Sequence, residues 1–423
     1  MPSRSTIVQV TARQVYSERG HPGVEARVAT AGGAAGVALC TAGASVGKHE
    51  VAFVHDGGER WDGLGVQDAV DNVNRLIAPA LQGMDAADQA AIDDALLNVG
   101  GPGAKARLGG NATAAVSAAV LKAGAASLQI PLYRHIGGVN ACVLPVPGVL
   151  GLLGSRRYGG GSRSGGKPSY SFICHGFDTF SEASYAAWRV YRVWERLLAS
   201  TFDLEPLFKG YPTVPIGSVE HDRQLWELMV AAIHKAGYDG RVGLQVDVAA
   251  GTYLDEHRQR FVGLFSQEDK DRQALMELYS QMVRDYPFVI IEDPLGEEDY
   301  EGHAWLTEHL GIEVVGDDLF TTNVERLQHG LEMQAANALL LKVNQIGTIS
   351  EAFGVARLAL QNGMGVMPCS SRGEGPDIAD YAVGLNTGHL REGGTGPIAN
   401  RLLQIEAELG HRAVFPGRAG LKP

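Results

Sequence analysis

Short apolar runs alternate with helical patterns along the second half of the chain. The runs at 243–247, 288–292, 313–317 and 339–342 have the length and aliphatic content of buried strands. Apolar residues recur at helical spacing over Ala183–Leu198, Arg223–Ala236, Lys270–Arg284 and Ile349–Asn362, and upstream over Val66–Leu81 and Ala112–Leu128. This alternation predicts an α/β fold with parallel strands that close into a barrel, preceded by a strand-and-helix cap.

Three acidic residues and a lysine end these runs: Asp247, Glu292, Asp317 and Lys342. The last three are spaced 25 residues apart, about one strand–helix unit. Because the carboxyl ends of barrel strands meet at one mouth, we expect the four side chains to face a common centre. Converging carboxylates repel one another unless a hard cation holds them, and oxygen ligands suit Mg²⁺. A lysine beside such a cation can have its pKa lowered and remove a proton. The alternative is that each acid merely caps the helix that follows its strand.

Composition narrows the class of protein. The 423 residues, 45% of them hydrophobic, suffice for more than one domain. The net charge of −12, without a basic helix, argues against a nucleic-acid partner. We expect a cytoplasmic protein without a membrane partner, since no apolar run reaches spanning length and the four cysteines lack CxxC spacing.

A series of strings, in order along the chain, carries a family resemblance. They are 17–25 (SERGHPGVE), 43–47 (GASVG), 109–117 (GGNATAAVS), 131–136 (PLYRHI), 144–147 (LPVP), 315–323 (VGDDLFTTN), 341–347 (LKVNQIG) and 378–384 (IADYAVG). On these strings the chain resembles the enolases. The resemblance implies an enolase-type (β/α)8 barrel over residues 137–423 with an N-terminal α+β capping domain over 1–136.

The resemblance also implies a site. Asp247, Glu292 and Asp317 would be the primary Mg²⁺ ligands, and Lys342 the base that takes the proton alpha to a carboxylate. Ser45 would lie in the mobile loop over the substrate, a small anionic carboxylate bearing phosphate or phosphonate. A homodimer or higher homo-oligomer is expected.

Departures from the enolase motifs fall where a leaving hydroxyl would be protonated. Ala42 replaces a loop serine that holds a second Mg²⁺, which weakens that second site. Val219, in Gly217-Ser-Val-Glu-His221, stands where enolases carry the acid, so Glu220 and His221 are the candidate acids one or two residues along. The other carboxylate of the family's acid pair is replaced by Ser171.

The phosphate-binding strings are also rebuilt. The Ser-His-Arg-Ser-Gly-Glu motif has become Cys369-Ser-Ser-Arg-Gly-Glu374, which makes Ser370, Ser371 and Arg372 the candidate headgroup contacts, while Arg391 replaces a lysine. A glycine-rich loop over 154–168 replaces a histidine loop and carries Arg156, Arg157, Arg163 and Lys167. Such a loop either binds an anion over the site or is an ordinary solvated loop.

The residues expected to bind the metal and remove the proton are thus retained. The motifs expected to protonate the leaving group and bind the phosphate are changed. The leading hypothesis is a relative of the carboxyphosphonoenolpyruvate synthases of phosphonate and phosphinate antibiotic pathways, which form an enolpyruvyl phosphonate. The alternatives are a divergent phosphopyruvate hydratase, another Mg²⁺ lyase on a hydroxy acid, a catalytically inactive binding protein, or random decay, which the retained ligands argue against.

Overall fold

The computed structural model describes residues 3–43, 46–99, 101, 103–154, 156–204 and 212–423. In the first part of the chain the elements are Ile7–Tyr16 (β1), Pro22–Thr30 (β2), Ala35–Thr41 (β3), Gln67–Asn72 (α1), Ala78–Leu81 (α2), Gln89–Asn98 (α3), Ala104–Leu108 (α4), Gly110–Ser127 (α5) and Leu132–Gly137 (α6). A π turn, Val73–Ile77, joins α1 to α2.

The second part of the chain contains the remaining elements. They are Val146–Leu152 (β4), Ser169–Cys174 (β5), Phe180–Phe202 (α7), Arg223–Ala236 (α8), Val242–Asp247 (β6), Leu254–Asp255 (β7), Arg260–Phe261 (β8), Arg272–Asp285 (α9), Phe288–Glu292 (β9), Tyr300–Leu310 (α10), Glu313–Gly316 (β10), Val324–Met333 (α11), Ala338–Leu341 (β11), Val343–Ile346 (α12), Ile349–Gln361 (α13), Gly365–Pro368 (β12), Asp377–Leu385 (α14), His389–Leu390 (β13) and Gly396–Leu409 (α15). The predicted helices are confirmed within a few residues.

Eight strands form the barrel sheet, in the order β12-β11-β10-β9-β6-β5-β4-β13. A parallel bridge between Val366 and Gly388 joins the two end strands, so the sheet closes on itself. The helices α7 to α15 lie between successive strands or after them along the chain. The α/β barrel predicted from the alternation of apolar runs and helical patterns is therefore confirmed.

One strand departs from the predicted all-parallel arrangement. Strand β5 pairs antiparallel with both β4 and β6, whereas the other barrel pairs are parallel. Ser169, the first residue of β5, lies opposite Asp247, the last residue of β6. The loop before β5 therefore reaches the same barrel mouth as the carboxyl ends of the parallel strands.

The cap packs a long helix on a small sheet. Strands β1, β2 and β3 form an antiparallel sheet, and α5 covers β2 and β3. A side chain at Gly36 of β3 would overlap the backbone of α5 at Ala119, so a glycine permits this close approach. Helix α5 is almost entirely buried, and its residues are mostly alanine, valine and small polar residues that fit such a position.

Buried hydrogen bonds join the cap to the barrel. Asp93 on α3 accepts from the Ser117 hydroxyl at 2.5 Å and from the Ser350 amide at 2.8 Å. The Ser117 hydroxyl also accepts from the Ile349 amide at 2.9 Å. Because both amides belong to the start of α13, these contacts fix that helix against the cap.

Among the described residues no single helix is long and apolar enough to cross a membrane, although Gly110–Ser127 and Leu132–Asn140, bent by 95°, meet that test as a pair.

We predict that Asp93→Asn destabilises the protein by about 1–3 kcal/mol, because the new amide group faces donors that the carboxylate now satisfies. Urea unfolding followed by circular dichroism measures the change. Asp94→Asn, on the exposed side of the same helix, is the matched control and should be close to neutral. An equal effect of the two substitutions would contradict the role given to Asp93.

Candidate active site

Three buried carboxylates lie at the mouth of the barrel. Asp247 ends β6, Glu292 ends β9, and Asp317 follows β10 directly. Asp247 and Glu292 are register partners on adjacent strands. Carboxylate oxygens of Glu292 and Asp317, together with one of Asp293, lie within 4.8 Å of one another. The structure therefore brings Glu292 and Asp317 together, with Asp247 beside Glu292 on the adjacent strand, while Asp293 and not Asp247 belongs to the set of oxygens within 4.8 Å.

Lys342 also lies at this mouth. It follows β11, and its ammonium group is ion-paired with Asp317 Oδ2. Burial disfavours the charged form, but the negative charge of Asp317, together with that of other neighbouring groups such as Glu292, more than offsets it, and the pKa of Lys342 is raised. This differs from the lowered pKa expected for a base, because the nearest charge in this arrangement is an anion. A divalent cation on Asp317 would oppose that attraction.

Two further cations contact the carboxylates. The Arg391 guanidinium bridges two of them, with Nη1 on Glu292 and Nη2 on Asp247. Lys167 is ion-paired with the same Asp247 Oδ2. Burial and the charges of Arg391 and Lys342 lower the pKa of Lys167 to about 8. Of the residues proposed to contact substrate, these two thus join the predicted metal ligands and Lys342.

Amide side chains complete the surroundings of the acids. Gln345 Nε2 donates to Asp317 Oδ1 at 2.8 Å, and Gln245 Nε2 contacts Glu292 Oε2 at 3.3 Å. Sequence reasoning missed both, although Gln245 lies two residues before Asp247 on one strand and therefore on the same face. Gln345 lies within the string that contains Lys342.

The carboxylate cluster has the chemistry of a magnesium site. The donors are hard oxygens, which Mg²⁺ prefers. Asp247 Oδ1 is buried and has no hydrogen-bond partner among the described residues. An unpartnered buried carboxylate oxygen costs free energy unless a cation or donor meets it, so Asp247, Glu292 and Asp317 fit the ion.

Asp293 lies in the same cluster but is committed to the backbone. Its oxygens accept from the amides of Asp317 at 3.0 Å and Asp318 at 2.8 Å. Burial and the neighbouring carboxylates Asp318, Asp317 and Glu292 raise the pKa of Asp293. Its oxygens therefore shape the turn that carries Asp317, and Asp247 as the third ligand stays a prediction.

Arg372 is placed differently from its predicted role. Its guanidinium is buried and binds both carboxylate oxygens of Glu50, a residue of the cap. Glu50 Oε1 also accepts from the Gly47 amide at 3.0 Å. In this structure the pairing with Glu50 therefore fastens the cap segment to the barrel, which differs from the headgroup contact predicted for Arg372. Of the neighbouring candidates, Ser370 is half-buried and Ser371 is exposed, and Ser45 lies outside the described residues.

The two candidate acids have their contacts elsewhere. Glu220 is exposed, and its amide donates to Gln224 Oε1 at 2.8 Å. The His221 ring accepts from the Arg223 amide at 3.0 Å and packs edge-on against Trp226. Burial lowers the pKa of His221, which disfavours its acidic form. The described contacts of Glu220 and His221 do not include the carboxylate cluster, so the one-residue shift predicted for the acid is not supported.

The inserted loop separates its four cations. Arg156 and Arg163 are exposed, while Arg157 is buried and pairs with Asp222 at 2.5 Å. The prediction that Arg157 binds a substrate anion needs correction, because its charge is already matched inside the protein. Among the described contacts of these four side chains, those of Lys167 include the carboxylate cluster, through Asp247.

The fold and site define a class of barrel enzymes that carry carboxylates and a lysine together at the strand ends. The family model "Enolase, N-terminal domain" matches residues 7–136, and "Enolase, C-terminal TIM barrel domain" matches 142–423. The chain is 40% identical to the enolase of Methanocaldococcus jannaschii over 419 residues, 97% of each chain. It is also 40% identical to the enolases of Methanopyrus kandleri, covering 97% of this chain and 98% of the relative, and Pyrococcus furiosus, covering 97% of each. The chain belongs to the enolase family.

We predict that Glu50→Gln lowers the free energy of unfolding by roughly 3–5 kcal/mol, because it removes a carboxylate whose two oxygens both bind a buried guanidinium. Urea denaturation measures the loss. Glu59→Gln changes an exposed acid of the same cap. It should change the free energy of unfolding by no more than about 0.5 kcal/mol. A small effect at Glu50 would mean that the pair does not hold the cap to the barrel.

Proposed function

We propose that the protein is a Mg²⁺-dependent carbon–oxygen lyase that removes the proton alpha to a substrate carboxylate. The observation that carries this proposal is the buried mouth of three carboxylates with Lys342 beside them. Membership of the enolase family supports the same chemistry. An inactive binding protein would have no need for the buried charges, which cost free energy to assemble.

Asp247, Glu292 and Asp317 would hold the ion in this proposal. When bound, Mg²⁺ supplies positive charge that favours the anionic form of a substrate carboxylate after proton loss. Gln345 holds Asp317 from the side away from Lys342, and Asp293 fixes the backbone of the same residue. These neighbours keep the ligand in place, as second-layer hydrogen bonds do in metal sites generally.

Lys342 would be the base. The alpha proton would pass to the neutral amine at Nζ, a form that Lys342 reaches by first releasing one ammonium proton to solvent. An ion held by Asp317 would favour that neutral form, because it would oppose the ion pair between Asp317 and Lys342. The backbone amide of Lys342 donates to the Thr322 hydroxyl at 3.1 Å. Thr322 in turn donates to Gln345 at 2.8 Å. The base and the ligand beside it are therefore held by one set of hydrogen bonds.

The first candidate substrate is 2-phosphoglycerate, with phosphoenolpyruvate and water as products. Relatives at about 40% identity over nearly the whole chain are named enolase. This favours the phosphopyruvate hydratase alternative over the enolpyruvyl phosphonate hypothesis.

A second candidate rests on the departures. Ser171 and Val219 occupy the positions of the family's two acids, and the described contacts of Glu220 do not replace them. Lys167 and Arg391 instead put positive charge beside Asp247. A substrate with another anionic group and another leaving group, such as an enolpyruvyl phosphonate precursor, suits that change.

Calorimetry with Mg²⁺ tests the metal assignment. Asp247→Asn should weaken binding by about 100-fold or more, since removing one anion from a buried charge cluster costs roughly 3–5 kcal/mol. Glu301→Gln, an exposed acid on the helix that follows β9, should bind as the wild type does. Unchanged affinity in Asp247→Asn would remove Asp247 from the ligand set.

Exchange of the alpha proton of 2-phosphoglycerate into deuterated water tests the base, independently of product formation. With Mg²⁺, we expect exchange in the wild type and a loss of about 10²–10⁴-fold or more in Lys342→Met. Lys235→Met, on the surface of α8, is the control. NMR follows the exchange, and ultraviolet absorbance follows phosphoenolpyruvate.

The two readouts separate the candidates. Exchange together with rapid product formation supports the hydratase. Exchange without product supports the second candidate, because the leaving group is then not expelled. Absence of exchange in the wild type would contradict the first candidate, and normal exchange in Lys342→Met would place the base elsewhere.

A further inference from the structure

Three segments that depart from the enolase motifs meet at one buried carboxylate, Asp222. Arg157 Nη1 donates to its Oδ1 at 2.5 Å, and the Tyr158 hydroxyl donates to the same oxygen at 2.8 Å. The Tyr170 hydroxyl donates to Oδ2 at 2.5 Å. We call these four residues the Asp222 hub. It joins the inserted loop, the start of β5 and the segment that lost the family's acid.

The inserted loop is packed tightly beyond the hub. Side chains at Gly160 or Gly161 would overlap Val262 or Tyr253, so the glycines allow the loop to lie directly on the segment 253–263. The Tyr253 hydroxyl donates to the Lys167 carbonyl at 2.5 Å, and the Ser164 hydroxyl donates to it at 3.1 Å. The loop is thus fixed near both ends, which differs from an ordinary solvated loop.

Because the loop is held in place, Lys167 at its end lies at the barrel mouth. Because β5 runs antiparallel, the residues before Ser169 lie at the barrel mouth, where Lys167 meets Asp247. Lys342 instead contacts Asp317, which follows β10. Strand β9, which carries Glu292, lies between β10 and the strand of Asp247, β6. Lys167 and Lys342 therefore stand on opposite flanks of the carboxylate cluster.

Among the described ion pairs, the ammonium group of Lys167 pairs with Asp247. Its partner oxygen, Asp247 Oδ2, also accepts from Arg391. An ammonium group has three donors, and the Lys167 side chain retains 15% exposure at the mouth. It can therefore keep Asp247 and still donate to an anion that enters.

We propose that Asp222 is a positioning residue whose hub holds Lys167 as a direct contact for a second anionic group of the substrate, on the flank opposite Lys342. The inference rests on the proposed function for the placement of the substrate carboxylate at the metal. The substrate class is then a carboxylate with a phosphoryl or phosphonyl group that reaches this flank. Lys167 acts as a fixed charge and takes no part in proton transfer.

The test is calorimetric binding of phosphonoacetate, an unreactive carboxylate-phosphonate, in the presence of Mg²⁺. Lys167→Met should weaken binding by about 10- to 100-fold, the usual worth of a charge-assisted hydrogen bond. Tyr170→Phe removes one hub contact without leaving Arg157 unpaired, and should weaken binding by a smaller factor. Asp222→Asn should weaken it further if that variant folds.

A double variant separates positioning from general damage. If the hub acts through Lys167, Tyr170→Phe combined with Lys167→Met should bind no more weakly than Lys167→Met, because coupled residues are not additive. Asp380→Asn is the matched control, since Asp380 is also buried and paired with an arginine, Arg401, but on α14. It should leave phosphonoacetate affinity unchanged.

Three outcomes would each overturn the proposal. Lys167→Met could bind phosphonoacetate as tightly as the wild type, the wild type could fail to bind it, or the two substitutions could have additive effects in the double variant. These outcomes are distinct from failure of the proposed function. That function is judged by alpha-proton exchange and its dependence on Lys342, neither of which requires Lys167 to bind phosphonoacetate.

Discussion

Asp247, Glu292 and Asp317 carry like charges into a region from which water is largely excluded. Their mutual repulsion grows as the dielectric falls, so the barrel mouth is stable only if positive charge is supplied close by. Lys342, Arg391 and Lys167 supply it from three different parts of the chain. The side-chain amides of Gln245 and Gln345, which contact Glu292 and Asp317, help to hold the carboxylates close to these positive charges.

The same constraint explains what the sequence could predict. Acids at the ends of apolar runs, spaced by one strand–helix unit, identify a common mouth because barrel geometry brings strand ends together. Asp247, Glu292, Asp317 and Lys342 do meet there. The helices were predicted within a few residues because each has a sustained apolar face, as in α7 and α8.

Other features depend on contacts between segments far apart in sequence. An arginine in a glycine-rich loop has the same local pattern whether it faces solvent, as Arg156 does, or pairs with a buried acid, as Arg157 does with Asp222. Strand direction is likewise invisible in an apolar run, so the reversal of β5 could not be read from residues 169–174. The pairing of Arg372 with Glu50 links positions 322 residues apart.

The reversal of β5 bears on how this family can diversify. In an ordinary barrel, lengthening a connection at the mouth also shifts the entry to a surrounding helix. Here the connection after β4 leads directly to its sheet neighbour β5, and the residues that the structure describes in it, 153–154 and 156–168, contain no helix. Its length and residues can therefore change while the outer helical layer keeps its place. Such a hairpin is a site where evolution can replace the groups above a fixed ionising centre without rebuilding the barrel.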